Sequence, residues 1–150
     1  MTGKTGIGGI RAMGEEFREV LSDIPEESFE SALKLLLEDG FEVAAHPEQG
    51  MVMMTVLDPF DTPFHLGEIL VTTAQIRKDG KRGFGLVAGD RPAAALLVAS
   101  LDLIDQASEP VRSSVVRILQ EALRNAAKHR SLASRMSALT RVEFSSMAHE

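Results

Sequence analysis

Between Asp58 and Gly89 the chain reads DPFDTPFHLGEILVTTAQIRKDGKRGFGLVAG, and this run constrains the fold more than any other. Ile69, Val71 and Thr73 alternate with Leu70, Thr72, Ala74 and Ile76, the period of a strand. After Lys78-Asp79-Gly80-Lys81 the alternation resumes, with Phe84, Leu86 and Ala88 on one face and Gly83, Gly85 and Val87 on the other. Asp-Gly suits the positive φ angles of a tight hairpin turn, so Ile69–Arg77 and Arg82–Ala88 are predicted to pair antiparallel. The preceding Asp58–His65 is predicted to be irregular, because Pro59 and Pro63 remove donors and push the residues before them extended.

A second hairpin is predicted upstream. Phe41, Val43 and Ala45 alternate with Glu42 and Ala44, His46-Pro47-Glu48-Gln49-Gly50 reads as a turn, and Met51–Leu57 reads as an apolar central strand. Thr140–Phe144 alternates again, Val142 and Phe144 against Arg141 and Glu143, and adds a last strand. Two successive hairpins without intervening helices predict an α+β fold. Its antiparallel sheet has about four to five strands and is packed by N-terminal and C-terminal helices in a single domain.

The flanking segments carry the helical period. Ile10, Met13, Phe17, Val20 and Leu21 define a short first helix, and Phe29, Leu33, Leu36 and Leu37 the inward side of a second that stops at Gly40. Asp23 and Glu26 are spaced as a capping box for that second helix. Asp90 and Pro92 open a third, Ala93–Ile104, apolar nearly all round and so buried across the sheet. A fourth starts near Ser108-Glu109-Pro110. It turns Val111, Val115, Ile118, Leu119, Ala122, Leu123 and Ala126 inward and leaves Arg112, Arg117, Arg124 and Lys128 outside; Ser131–Leu139 is weaker helix. Residues 1–9 read as a disordered tail before a single domain over 10–150, with no repeat and no linker.

Charge narrows the function. The net charge of −6 is uneven: residues 1–109 hold 9 Lys/Arg against 19 Asp/Glu, and residues 110–150 hold 7 against 3. An acidic bulk argues against nucleic acid, whereas the basic C-terminal part suits a polyanion or an acidic partner. The most apolar run, Ala93–Ser100, is far shorter than a membrane span, and no secretory signal is visible. With no cysteine there is no disulfide, thiolate metal site or cysteine nucleophile, which fits a soluble cytoplasmic protein.

The motifs that would carry chemistry have plainer readings. Gly3-Lys4-Thr5 lacks the upstream glycine and strand of a phosphate loop. Gly83, Gly85 and Gly89 have dinucleotide-loop placement but wrong spacing, and Asp90 would repel a phosphate; the glycines read better as room for a helix crossing the strand. His46, His65, His129 and His149 have no metal-site spacing, so no metal is expected. Asp102 and Asp105 stand a helical turn apart and read either as an acid–base pair or as the wet end of a buried helix. Arg117, Arg124, Lys128 and Arg135 share one helix side, either a solvated face or a surface for phosphate or an acidic subunit.

The ordered set Asp58-Pro59, Thr62-Pro63-Phe64, Leu66-Gly67-Glu68-Ile69-Leu70-Val71-Thr72, Ala74, Gly83-Phe84-Gly85 and Val87-Ala88-Gly89 closely resembles the PhnG family. That family is a small subunit of the bacterial carbon–phosphorus lyase system. Upstream the resemblance takes in Glu48-Gln49-Gly50-Met51-Val52-Met53; downstream it takes in Ala95, Ala99 and Asp102, and closes on Val142-Glu143-Phe144-Ser145-Ser146-Met147. It departs at Gly89-Asp90-Arg91, where the family has Gly-Arg-Asp, at Leu96, where it tends to an acid, and at Ser145-Ser146.

The resemblance implies a hetero-oligomeric core complex with PhnH, PhnI and PhnJ, working with PhnL. In that system a phosphonate displaces adenine from MgATP to give a ribose 1-phosphonate 5-triphosphate. MgATP is thus a substrate of the complex, and no cofactor is expected on this chain alone. A required transferase subunit is implied, not a free-standing enzyme. Within the family-like stretch Glu68, Thr72, Arg77 and Arg82, together with Arg117 and Arg124, are candidates for substrate or subunit contact. Gly67, Gly83, Gly85, Gly89, Asp102, Phe144 and Met147 are structural motif positions. The alternative is an independent α+β binding module or homodimer unrelated to phosphonates, and self-association of the isolated chain stays open. A large exposed apolar patch discriminates for the subunit, and a closed polar surface around a pocket for the module.

Overall fold

The computed structural model describes Leu21 and residues 24–139. In chain order these form α1 (Glu26–Glu38), β1 (Glu42–Leu57), β2 (Pro63–Lys78), β3 (Lys81–Ala88), α2 (Pro92–Leu101), a short 3-10 turn (Ile104–Gln106) and α3 (Glu109–Leu139). The fold is α+β, with an antiparallel sheet in the order β1-β2-β3. The expected helix at Ile10–Leu21, all but its last residue, and the expected strand at Thr140–Phe144 lie outside the described residues, as do Asp23, Phe144, Met147 and His149.

The described sheet has three strands, not four to five. Phe41–Ala45 and Met51–Leu57 are not the two sides of a hairpin; β1 runs through both. His46–Gly50 stays extended because β2 is itself 16 residues long and pairs with β1 from Arg77 back to Pro63. Pro47 falls where the register slips between Ala45 and Glu48, so its missing N–H costs no regular ladder bond. Asp58–His65 is also less irregular than expected. Pro63 opens β2, a position that tolerates proline, and Phe64 and His65 join the ladder opposite Val56 and Thr55.

The second hairpin is as expected. Asp79 and Gly80 both take positive φ, 49° and 77°, the two-residue turn whose twist matches its strands. On β3 the side chains of Phe84 and Leu86 point away from the helices while Gly83, Gly85 and Val87 are buried. The glycines give α2 its seat. A Cβ on Gly83 would stand 2.0 Å from the Ala99 carbonyl oxygen, and one on Gly85 1.9 Å from that of Ala95, so only hydrogen fits.

α2 lies on β2 and β3, α1 packs on α2, and α3 packs on α1. Phe29, Leu36, Ile76, Leu97, Val115 and Leu119 are the large members of the shared core, each contributing about 1.5–3 kcal/mol by burial. Leu37 is not one of them. It is 40% exposed, because the buried stripe of α1 is centred on Phe29, Ala32 and Leu36, one step of rotation away. Gly40, at φ 90°, ends α1 by letting the Phe41 N–H reach Leu36 O and the Gly40 N–H reach Leu37 O, both at 3.1 Å. α2 stops at Leu101, earlier than expected, and Leu103 and Ile104 stay buried through the 3-10 turn. α3 is one unbroken helix, yet it buries nothing after Ala126 among the described residues: 127–137 are all exposed.

Candidate functional site

Three polar knots fix the described fold. The carboxylate of Glu26 accepts from the Ala93 N–H at 2.7 Å and the Ala94 N–H at 3.3 Å. It therefore caps α2 from across the molecule, and Asp90 supplies no side-chain cap to that helix; the expected capping box rests on Asp23, outside the described residues. Arg91 pairs with Glu26 at 3.3 Å, donates to the carbonyls of Leu21 and Ile24, and lies 5.1 Å from the Phe29 ring centre. Thr72 is the second knot. Its hydroxyl donates to Gly89 O at 2.6 Å and accepts from the Arg91 N–H at 3.0 Å, tying the β3–α2 link to β2.

The third knot is Asp39, between the end of α1 and the start of α3. It accepts from the Ser108 hydroxyl at 2.5 Å and the Ser108 N–H at 3.0 Å, with the Lys78 ammonium 3.6 Å away. The Ser108 bonds, helped by Lys78, hold its carboxyl below the ordinary aspartate range despite some desolvation.

The remaining residues singled out from sequence do not converge. Arg77 pairs with Glu42 at 2.6 Å and faces Arg82 across the hairpin, both exposed. Glu68 and Gly67 lie on the far part of β2, and Arg117 and Arg124 on the exposed side of α3. Asp102 and Asp105 are exposed, which leaves them without the burial an acid–base pair needs. His65 Nδ1 lies 3.0 Å from Thr55 Oγ1 on adjacent strands; His46 and His129 are exposed elsewhere. Among the described residues no group of three or more His, Asp or Glu is placed to hold a metal ion. No helix among them is long and apolar enough to cross a membrane.

What the structure does assemble is an arm. β3 pairs with β2 only as far as Val71, so from Leu70 back to Pro63 β2 pairs with β1 alone. The result is a two-stranded ribbon about 26 Å long. Met51, Val52 and Met53 are consecutive and all exposed, so both faces of the ribbon are apolar. At the tip Asp58 Oδ1 accepts from the Phe60 and Thr62 N–H groups at 2.8 and 2.9 Å, closing a tight loop that leaves Phe60 87% exposed. On the sheet face that no described helix covers, exposed Phe84 and Leu86 continue the surface. The sequence pattern reads Met51–Leu57 as a central strand and Asp58–His65 as irregular, and so does not mark an exposed arm. The missed signal is charge: no Lys or Arg occurs between Lys34 and Arg77.

The described residues form a small α+β fold whose buried polar groups serve the fold itself and from which an apolar arm extends. The family model described as phosphonate metabolism protein PhnG matches residues 15–149, and the chain belongs to that family. Comparison with curated proteins gives no match.

Proposed function

We propose that this chain is a non-autonomous subunit of the carbon–phosphorus lyase system. In this reading it is needed with PhnH, PhnI and PhnL for transfer of the ribose 5-triphosphate moiety of ATP to a phosphonate, with release of adenine. PhnJ-like chains complete the core assembly and MgATP is its substrate. The observation that carries the reading is the apolar arm, Gly50–Leu70. A lone two-stranded ribbon is marginal in water, and surfaces of this kind are stabilised when a partner covers them. A pocket-centred module is less well supported. Among the described residues, a depression lined by Glu30, Leu33, Lys34, Leu37 and Glu38 runs along the outside of one helix and brings no polar groups together from separate elements.

The role assigned to the chain is structural. It would position a catalytic partner, with the basic side of α3 (Arg117, Arg124, Lys128 and Arg135) available to an acidic subunit or to phosphate groups. The test is co-purification of the tagged chain from its native host, read by mass spectrometry. PhnI-, PhnH- and PhnJ-like chains in fixed ratio, and adenine release from MgATP and phosphonate that stops when this chain is withheld, are the expected results. Elution as a stable monomer or homodimer with no such partner overturns the reading.

A further inference from the structure

Among the described residues β1 is an edge strand, and no strand pairs with its outer edge between Gln49 and Leu57. Soluble proteins protect such edges with charges, proline or bulges. Here the segment QGMVMMTVL contains no charged residue and no proline. The register slips that add residues to β1 lie before Glu48, and the one beyond Met54 adds its residue to β2 instead, since Met54 pairs with Gly67 and Thr55 with His65. The other sheet edge, β3, is half as long and carries Lys81 and Arg82. Among the described residues nothing pairs with the outer side of β1.

The open edge is bracketed by carboxylates, Glu48 at one end and Asp58 at the other. This decides between occupants. If two copies paired antiparallel along Gln49–Leu57, the register of full overlap would centre on Met53 and set Glu48 directly opposite Asp58 at both ends. Like charges opposed across a ladder are unfavourable. A partner segment with basic ends meets no such penalty. We propose that Gln49–Leu57 is a strand-addition site, taking an extended partner segment of about nine uncharged, largely apolar residues flanked by Lys or Arg. Main-chain bonds supply the affinity, and Glu48 and Asp58 fix register and exclude a second copy. The inference rests on the subunit reading and names the chemistry of the partner's contact segment.

The probe is a synthetic peptide, nine alternating Thr and Val residues with a Lys at each end, titrated against the full chain at low salt. A Glu-ended peptide and a Lys-ended peptide with alternate amides N-methylated serve as controls. The Lys-ended peptide is expected to bind about tenfold more tightly than the Glu-ended one. It should slow amide exchange in Gln49–Leu57 and not in Lys81–Ala88, and the methylated peptide should not bind. Glu48→Lys, at an exposed position, should erase the preference while thermal unfolding stays unchanged. Equal binding of both charge types, protection on β3, or a peptide-free dimer that protects Gln49–Leu57 overturns the proposal. In the co-purified assembly, a photo-crosslinking residue at Val52 should join to a partner segment flanked by basic residues. A crosslink to another copy, or none, overturns it, whereas loss of the partners themselves overturns the subunit reading instead.

Discussion

Glu26 and Arg91, 65 positions apart, form a 3.3 Å ion pair that is also a helix cap, because the same carboxylate takes the first free N–H groups of α2. One side chain thereby fixes α1 to α2, and Arg91 extends the tie to the carbonyls of Leu21 and Ile24. Glu26→Ala leaves both N–H groups and a largely buried guanidinium short of a partner. The expected loss is about 2–3 kcal/mol, or roughly 4–12 °C in Tm for a chain of this size. Glu26→Gln, which keeps an acceptor, should lose less than half of that in the same denaturation experiment.

Gly83→Ala and Gly85→Ala place a methyl group against the backbone of α2, which cannot move aside as a side chain can. Each should destabilise by about 3 kcal/mol or more, and the pair should prevent α2 from seating. Gly50→Ala is the internal control. Its nearest neighbour, a Val71 methyl, would be 4.0 Å away, so a urea midpoint close to wild type is expected. Similar losses at all three positions would show that β-propensity, not the helix crossing, decides these sites.

The Asp79-Gly80 turn was legible in the sequence because it depends on adjacent residues, and the glycine seats because the helix that fills them is the next element along the chain. The turn expected at His46–Gly50 was not. Its Pro and Gly give a sound local turn signal, and the outcome was set by pairing with Thr72–Gln75 on a strand about 25 residues away. Nor could Glu26 be read as the cap of α2, since nothing local links the two. The candidate site was hidden for a different reason. An apolar strand that meets solvent looks like a core strand, and only the run without Lys or Arg from residue 35 to 76 marks it.

Asp39 makes acid stability sensitive to a single knot. Its carboxyl is held below the ordinary aspartate value by Ser108 and Lys78, so the ionised form belongs to the folded state. That contribution is complete above the unfolded value of about 3.9 and is lost as pH falls through the lower folded value. Asp39→Asn should therefore be less stable than wild type at neutral pH, with the gap narrowing below about pH 4. Ser108→Ala should narrow it over a higher pH range. Urea midpoints measured across the acid range read both effects, and a gap independent of pH would show that Asp39 acts only as a neutral acceptor.

Phe60 separates assembly from stability. It is held at the arm's tip by the Asp58 loop, is 87% exposed, and belongs to no core cluster. Phe60→Ser should leave the unfolding free energy within about 0.5 kcal/mol of wild type, because little buried surface is lost. If the arm docks on a partner subunit, an aromatic at its tip suits an anchoring role, and its truncation should cost about 1–3 kcal/mol of association. Co-purification from the native host should then fall by about tenfold or more while the isolated chain melts unchanged. Asp58→Ala should weaken association too, but through loss of the loop bonds that present Phe60, and with greater proteolysis at the tip. Unchanged co-purification of the Phe60 variant would move the interface off the arm and onto the open sheet face around Phe84 and Leu86.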